Sequence, residues 1–411
     1  MAKIDVKWHV LIGGFLSYTF DAMDIVLLAV ALPAIIKDLG LSMTEAGLLG
    51  TATLLGVGIS SIIVGWYADN YGRRKSLLWS LVSFGLLTAA IAFTSSWAEV
   101  LILRFLAGLG LGGVWGIAAA YINETWPVSQ RGRAAAFVLS SFPAGAGIAS
   151  FLAAIILPHY GWRVLFLTGA GAILAAVYIY LFVPESEVWK QQKAKRVAEG
   201  GSKSTVAICE IFSKELLKNT LLGTAAASFA LMAYWGSTTW LPTFLVKERG
   251  LDMTTMAMFM VILNVGMFVG YNIFGYLADK IGRKKALILS FIGTTITLPI
   301  YVFTTNTTAL LWLGPVYAFF ISFAGLFGSY FAELYPTRVR TIGAGFCFNV
   351  GRGLSALAPF LLGHIAAKYS LAAGISLCAG FFFLAAVTML FLPETQASKK
   401  SVAVNEAELV K

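Results

Sequence analysis

Two aspartates three residues apart, Asp21 and Asp24, stand in the middle of an otherwise apolar run, WHVLIGGFLSYTFDAMDIVLLAVALPAII. A carboxylate at the centre of a membrane helix costs roughly 2.5–3.5 kcal/mol, so it is retained where it pairs, takes a proton or meets a substrate. At this spacing both project from one helix face, with Tyr18 a further turn back. Arg104 lies about a turn and a half inside another apolar run, RFLAGLGLGGVWGIAAAY. From there it can snorkel to the surface or pair with a carboxylate of the first run and help to relay a proton. Arg352 stands near the middle of FNVGRGLSALAP, with Asn349 and Ser355 on its face. A guanidinium fork matches a carboxylate in bidentate geometry. Arg352, helped by Asn349, is therefore a candidate holder of an anionic substrate; the alternative is a structural pair with Asp21, Asp24 or a helix carbonyl.

Aromatic and amide side chains could complete a pocket: Tyr18, Trp115, Tyr234, Trp235, Trp240, Asn264 and Asn272. An apolar cavity with a few polar groups suits a small organic acid.

These residues must be carried by membrane helices. Of the 411 residues 58% are hydrophobic and 12% charged, against about 25% charged in a soluble domain. The first apolar run is too long for the core of a cleavable leader. A hydrocarbon core about 30 Å thick needs about 20 apolar residues per crossing. Twelve runs qualify: 8–36, 45–68, 76–96, 99–122, 135–157 and 163–183, then 219–245, 254–278, 286–304, 309–332, 341–363 and 370–392. The expected fold is an all-α membrane protein of two six-helix bundles, 1–189 and 219–395. The linker is 190–218, and a basic surface helix over 186–199, ended by Gly200-Gly201-Ser202, is suited to anionic lipid; the tail is 396–411. Of the 30 Lys and Arg, 23 fall in loops and termini of one side, which makes that side and both termini cytoplasmic in a cell membrane. The formal charge of +10 is thus a topology signal, and nucleic acid is not an expected partner. Three cysteines and three histidines show no ligand spacing, so no metal, cofactor or catalytic nucleophile is expected.

The halves repeat at an offset of 209–210 residues. Leu32-Pro33 matches Leu241-Pro242, GLSMT at 40 matches GLDMT at 250, and GWYADNYGRRK at 65 matches GYLADKIGRKK at 275. ETWPVSQR at 124 matches ELYPTRVR at 333, and PES at 184 matches PET at 393. The intramembrane charges break the repeat: Asp21 and Asp24 map to Ala230 and Ala233, Arg104 to Leu313, and Arg352 to Pro143. Two parallel halves with a site between them is a recurrent transporter plan.

Over its whole length the chain resembles the major facilitator superfamily. Gly65, Asp69, Gly72, Arg73 and Arg74 look like the signature of the loop between helices 2 and 3, with Asn70 at one usually basic position. Gly275, Asp279, Gly282 and Arg283 are its second copy, and Arg104 with Gly108, Gly110 and Gly112 resembles the RxxxGxGxG signature of helix 4. The resemblance implies a conformational latch in which the arginines meet acids such as Glu124. FDAMDIVLLAVALP is similar to aromatic-acid and niacin-type transporters, apart from Ala22 where glycine is usual. PESEVW, and Asn349 with Arg352, look like sialate and monocarboxylate symporters; Val114 replaces a glutamate that several relatives carry. The function this implies is proton symport of a small organic anion by a monomer with alternating access, the proton being taken by Asp24 or Asp21. The runner-up is a proton-coupled drug or metabolite antiporter, with a sugar transporter behind it. SSFPAGAGIAS lacks the glycine before Pro143 that antiporters carry.

Overall fold

The computed structural model describes residues 5–127, 130–198, 208–336 and 339–395. Among these every regular element is helical. The N-terminal half contains α1 Val6–Leu39, α2 Met43–Tyr71, α3 Arg73–Ala90, α4 Trp97–Leu111, α5 Val114–Thr125, α6 Arg131–Leu139, α7 Ser141–Leu167 and α8 Ala172–Phe182. The connecting helix is α9 Glu187–Ala198. The second half contains α10 Leu217–Lys247, α11 Met253–Ile281, α12 Arg283–Phe303, α13 Thr307–Phe320, α14 Phe323–Leu334, α15 Arg340–Ser355, α16 Ala358–Lys368 and α17 Leu371–Leu390.

Ten stretches among the described residues are long and apolar enough to cross a membrane. One of them, Phe137–Phe182, holds two crossings, because the chain breaks at Gly161 with φ 77°. The remaining crossing is α10, whose middle, YWGSTTW, makes it less apolar. The total is the twelve of the sequence pattern. Several crossings are interrupted: α4/α5 at Gly112-Gly113 and α13/α14 at Ile321-Ser322, which are equivalent in the repeat, and α6/α7 at Ser140 and α15/α16 at Ala356-Leu357, which are not. The apolar runs did not announce these breaks.

The repeat is structural as well as textual. Ser42 caps α2 in a reciprocal box with Glu45, and Asp252 caps α11 at the equivalent place. Gly40 and Gly250 take left-handed conformations, φ 65° and 69°, which end the preceding crossings. Gly72 and Gly282 turn the chain with φ 114° and 103°, conformations open to glycine and strained for other residues.

The halves meet through α1 and α10, α7 and α11, and α2 and α16. On the face away from the basic loops they are pressed together. A Cβ on Gly47 would strike the Pro359 carbonyl, and one on Gly363 the Met43 carbonyl and Trp240. The Phe360 amide donates to Thr51 Oγ1 at 3.3 Å across the same seam. Ionic contacts on this face stay within each half: Arg163 pairs with Asp38 at 2.6 Å, and Glu248 accepts the amides of Leu371 and Ala372. Toward the basic loops the interior is open. There α5 packs on α1, α2, α3 and α6 of its own half and α14 on α11, α12 and α15 of its own, and Gly116 and Gly328 on these two helices have no neighbouring heavy atom within 4 Å of where a Cβ would stand. The molecule is thus closed on one face and cleft on the other.

Candidate functional site

The centre of the N-terminal half holds a buried ion pair. Arg104 Nη1 donates to Asp24 Oδ1 at 2.9 Å, with side-chain exposures of 0% and 1%. Arg104 Nε donates to Thr53 Oγ1 at 3.0 Å, and the Thr88 hydroxyl donates to Asp24 Oδ2. Both carboxylate oxygens of Asp24 are therefore held, by α4 and α3. The pair forms because the helices approach closely: the space for a Cβ on Gly108 is filled by Thr53 backbone and Gly56, and that on Gly110 by Ser83 and Phe84. Arg104 does not snorkel, because its fork reaches α1 and α2 directly.

Asp21 does something different. A separation of three residues on a helix leaves an offset of about 60°, and α1 lies where the bundle borders the seam. Asp24 points into its own bundle, while Asp21, also buried, has Arg352 of α15 as a charged neighbour. The expectation of one shared face is corrected to that extent. Neither Asp21 nor Arg352 closes an ion pair among the described residues, and Arg352 Nε is buried without a hydrogen-bond partner there. The alternative of a structural Arg352 pair with Asp21 or Asp24 is not what the geometry shows. Asn349 is half-buried one turn away. Ser355 turns back to accept nothing from the seam; its hydroxyl donates to the Arg352 carbonyl at 2.7 Å.

Aromatic rings from both halves surround this level. Tyr18 packs on Trp115 and Phe142 with centroids 5.3 and 5.6 Å apart. Phe142 reaches across to Tyr234 and Trp235, each at 6.5 Å. Tyr18 also has Arg352, Asp21 and Tyr271 as electrostatic neighbours, and Tyr234 has Tyr271 and Tyr18. Asn264 is buried on α11 facing Gly147 of α7, its amide donating to the Met260 carbonyl at 2.8 Å. Two expected pocket residues lie elsewhere. Trp240 is wholly buried, its indole donating to the Pro359 carbonyl at 2.9 Å, which makes it a strut of the closed seam. Asn272 is exposed and bonds to its own helix at Phe268.

The loop signature forms a lattice at the basic face. Arg73 bonds Asp69, and its Nε and Nη2 donate to Glu124 at 3.2 and 3.1 Å. The N-terminus of α3 is held by Glu185, which accepts the amides of Arg73 at 2.8 Å and Arg74 at 3.1 Å. Arg74 itself reaches the Tyr180 carbonyl rather than an acid. Trp189 of α9 donates to the Asp69 carbonyl at 2.8 Å, tying the connecting helix to the loop. In the second half Arg283 pairs with Asp279 and stands 3.6 Å from Glu333, while Glu394 accepts the Lys284 amide at 3.1 Å. Gly65 and Gly275 look onto open space, so their close packing is not made in this state.

Four site residues escaped the sequence reading. Phe142 and Tyr271 carry no signal among 30 Phe and 15 Tyr. Glu185 and Glu394 had one, since PES and PET recur at the repeat offset and only a position under structural demand repeats its acid. Residues 199–207 of the linker, including Gly200-Gly201-Ser202, and the tail 396–411 fall outside the described residues.

Comparisons with known proteins agree with this architecture. The family profile described as Major Facilitator Superfamily matches residues 11–351 and 265–410. A cis,cis-muconate transport protein of Acinetobacter baylyi is 32% identical over 386 residues, covering 93% of this chain and 94% of the relative. A sialic acid transporter of Escherichia coli K12 is 29% identical over 374 residues, covering 89% of each. The crystal structure of a D-xylose–proton symporter superposes with a TM-score of 0.76 at 20% identity, covering 95% of this chain and 99% of that one. With twelve crossings in two repeated halves and this match over nearly its full length, the chain belongs to the Major Facilitator Superfamily.

Proposed function

We propose that the protein carries a small organic anion bearing a carboxylate across the cytoplasmic membrane, by proton symport with alternating access. The observation that carries the reading is Arg352: an arginine in the seam between the halves, close to Asp21, without an ion pair among the described residues. A guanidinium so placed is matched by a substrate carboxylate. Tyr18, Trp115, Tyr234, Asn264 and Asn349 would surround the rest of the molecule, and one of the two carboxylates, Asp21 or Asp24, would take the proton, with Arg104 beside them. The relatives' substrates, muconate and sialic acid, are both carboxylates.

In this reading 1–189 and 219–395 rock as two bodies about the bound anion, joined by 190–218, with both termini and the tail 396–411 cytoplasmic. The open cleft then faces the cytoplasm. Gly65, Asp69, Gly72, Arg73, Arg74 and Glu124, with Asp279 and Arg283, form the latch that engages when that cleft closes. The protein acts as a monomer. Differential binding of anion and proton to the two conformations supplies the bias.

The test is uptake into proteoliposomes under an inward proton gradient, with benzoate, nicotinate, cis,cis-muconate, lactate, sialate and a cationic drug. Accumulation of one carboxylate, abolished by a protonophore and by Arg352→Ala, is expected. Drug movement without carboxylate uptake would overturn the reading in favour of an antiporter.

A further inference from the structure

We propose that the two aspartates divide the work: Asp21 alone is the coupling carboxylate, and it acts by competing with the substrate for Arg352, while Asp24 is a fixed member of the bundle. The inference rests on the carboxylate reading of Arg352 above.

Asp24 has no free oxygen to offer. Oδ1 is held by Arg104 and Oδ2 by Thr88, at 1% exposure, and Arg104 is further fixed by Thr53. Protonating Asp24 would strand a guanidinium in the membrane interior, which is strongly unfavourable. Asp21 has no such anchors. The groups that reach it are Asp24 on its own helix and Arg352 on α15. Tyr18, itself near Asp21, is reached by Tyr271 of α11, and Tyr234 of α10 in turn reaches Tyr18 and Tyr271. The remaining ionisable groups of the neighbouring α3, α5 and α7 sit near their helix ends, as Arg73, Glu124 and Arg163 do.

Arg352 thus has one protein carboxylate nearby and, in the proposed cycle, one substrate carboxylate to receive. With Asp21 ionised its nearby charge offsets that of the guanidinium without a closed pair, and a second anion would leave the seam with a net negative charge. With Asp21 protonated, Arg352 is an uncompensated cation and the anion completes it. Binding of the anion and of the proton are then one linked event, and by reciprocity each strengthens the other. No relay between the aspartates is needed, and the coupling site lies at the boundary that moves rather than inside a rigid half.

The experiment measures counterflow and binding of radiolabelled benzoate, nicotinate and cis,cis-muconate by wild-type protein and by Asp21→Asn between pH 6 and 8.5. For the wild type the dissociation constant should rise as pH increases, approaching about tenfold per unit where one proton is linked. Asp21→Asn should bind with the same affinity at both ends of the range and exchange the acid, yet fail to accumulate it against a gradient. Asp21→Glu, which keeps the carboxylate, should restore the pH dependence. Binding to the wild type in lightly buffered detergent at pH 8 should take up about one proton per acid. That measurement stands even if Asp21→Asn does not fold. Proton-driven accumulation or an unchanged pH profile in Asp21→Asn would overturn the assignment, as would absence of proton uptake by the wild type. Failure of the wild type to exchange any of the three acids would instead overturn the carboxylate reading, and this proposal with it.

Discussion

The Asp24–Arg104 pair makes a quantitative claim that does not depend on knowing the substrate. Asp24→Asn leaves a guanidinium at 0% exposure with Thr53 as its remaining anchor, and its Nη2 already lacks a partner among the described residues. Breaking one side of a buried pair costs about 3–5 kcal/mol, because the surviving charge stays desolvated. Arg104→Met should cost less, since the stranded carboxylate can take a proton and keep its Thr88 hydroxyl. Removing both charges together should cost far less than the sum, because isosteric replacement of a buried pair is often close to neutral. The coupling in the double-mutant cycle should therefore be about 2–3 kcal/mol, at the upper end for contacting residues. The assay is equilibrium unfolding in detergent micelles, reading all four proteins at one pH. Additive losses, with coupling below about 0.5 kcal/mol, would refute the claim that the pair is a single electrostatic unit.

Two further outcomes are expected. Gly47→Ala places a methyl against the Pro359 carbonyl, an overpacking worth about 1–3 kcal/mol. It should raise labelling of a cysteine reporter on the closed face several-fold, and unchanged labelling would mean that this seam is not the barrier. Glu185→Ala removes the acceptor of two amides and should lower stability by about 1–2 kcal/mol. Glu394→Ala removes the acceptor of the Lys284 amide in the second half and should lower stability as well; no loss in thermal unfolding of either variant would contradict the assigned caps.

The twelve crossings were legible because lipid demands them: long apolar runs and alternating basic loops follow from dielectric and length alone. The repeat was legible through Gly40 and Gly250, and through Gly72 and Gly282, whose positive φ only glycine adopts readily. Arg104 and Asp24 could be paired on paper because a charge in lipid needs a partner. What could not be read was direction. Asp21 and Asp24 share a helix, yet one faces α15 and the other α4, a distinction set by where α1 sits between bundle and seam. Trp235 and Trp240 look alike in sequence; a single bond to Pro359 separates the strut from the pocket wall. The breaks at Ser140 and Ile321 leave no mark on hydropathy.

The polar middle of α10 also bears on how the chain is made. Ser237 meets the Tyr317 hydroxyl at 3.2 Å on α13, and the Trp240 indole meets the Pro359 carbonyl on α16. Both partners are synthesised after α10. The Ser237 and Thr238 hydroxyls have acceptors within α10 itself, at the carbonyls of Ala233 and Tyr234, whereas the bonds to Tyr317 and Pro359 must wait for later helices. Those partners lie 80 and 119 residues downstream. A nascent chain halted before α16 would hold the Trp240 indole in its seventh crossing without the carbonyl that receives it in the finished protein.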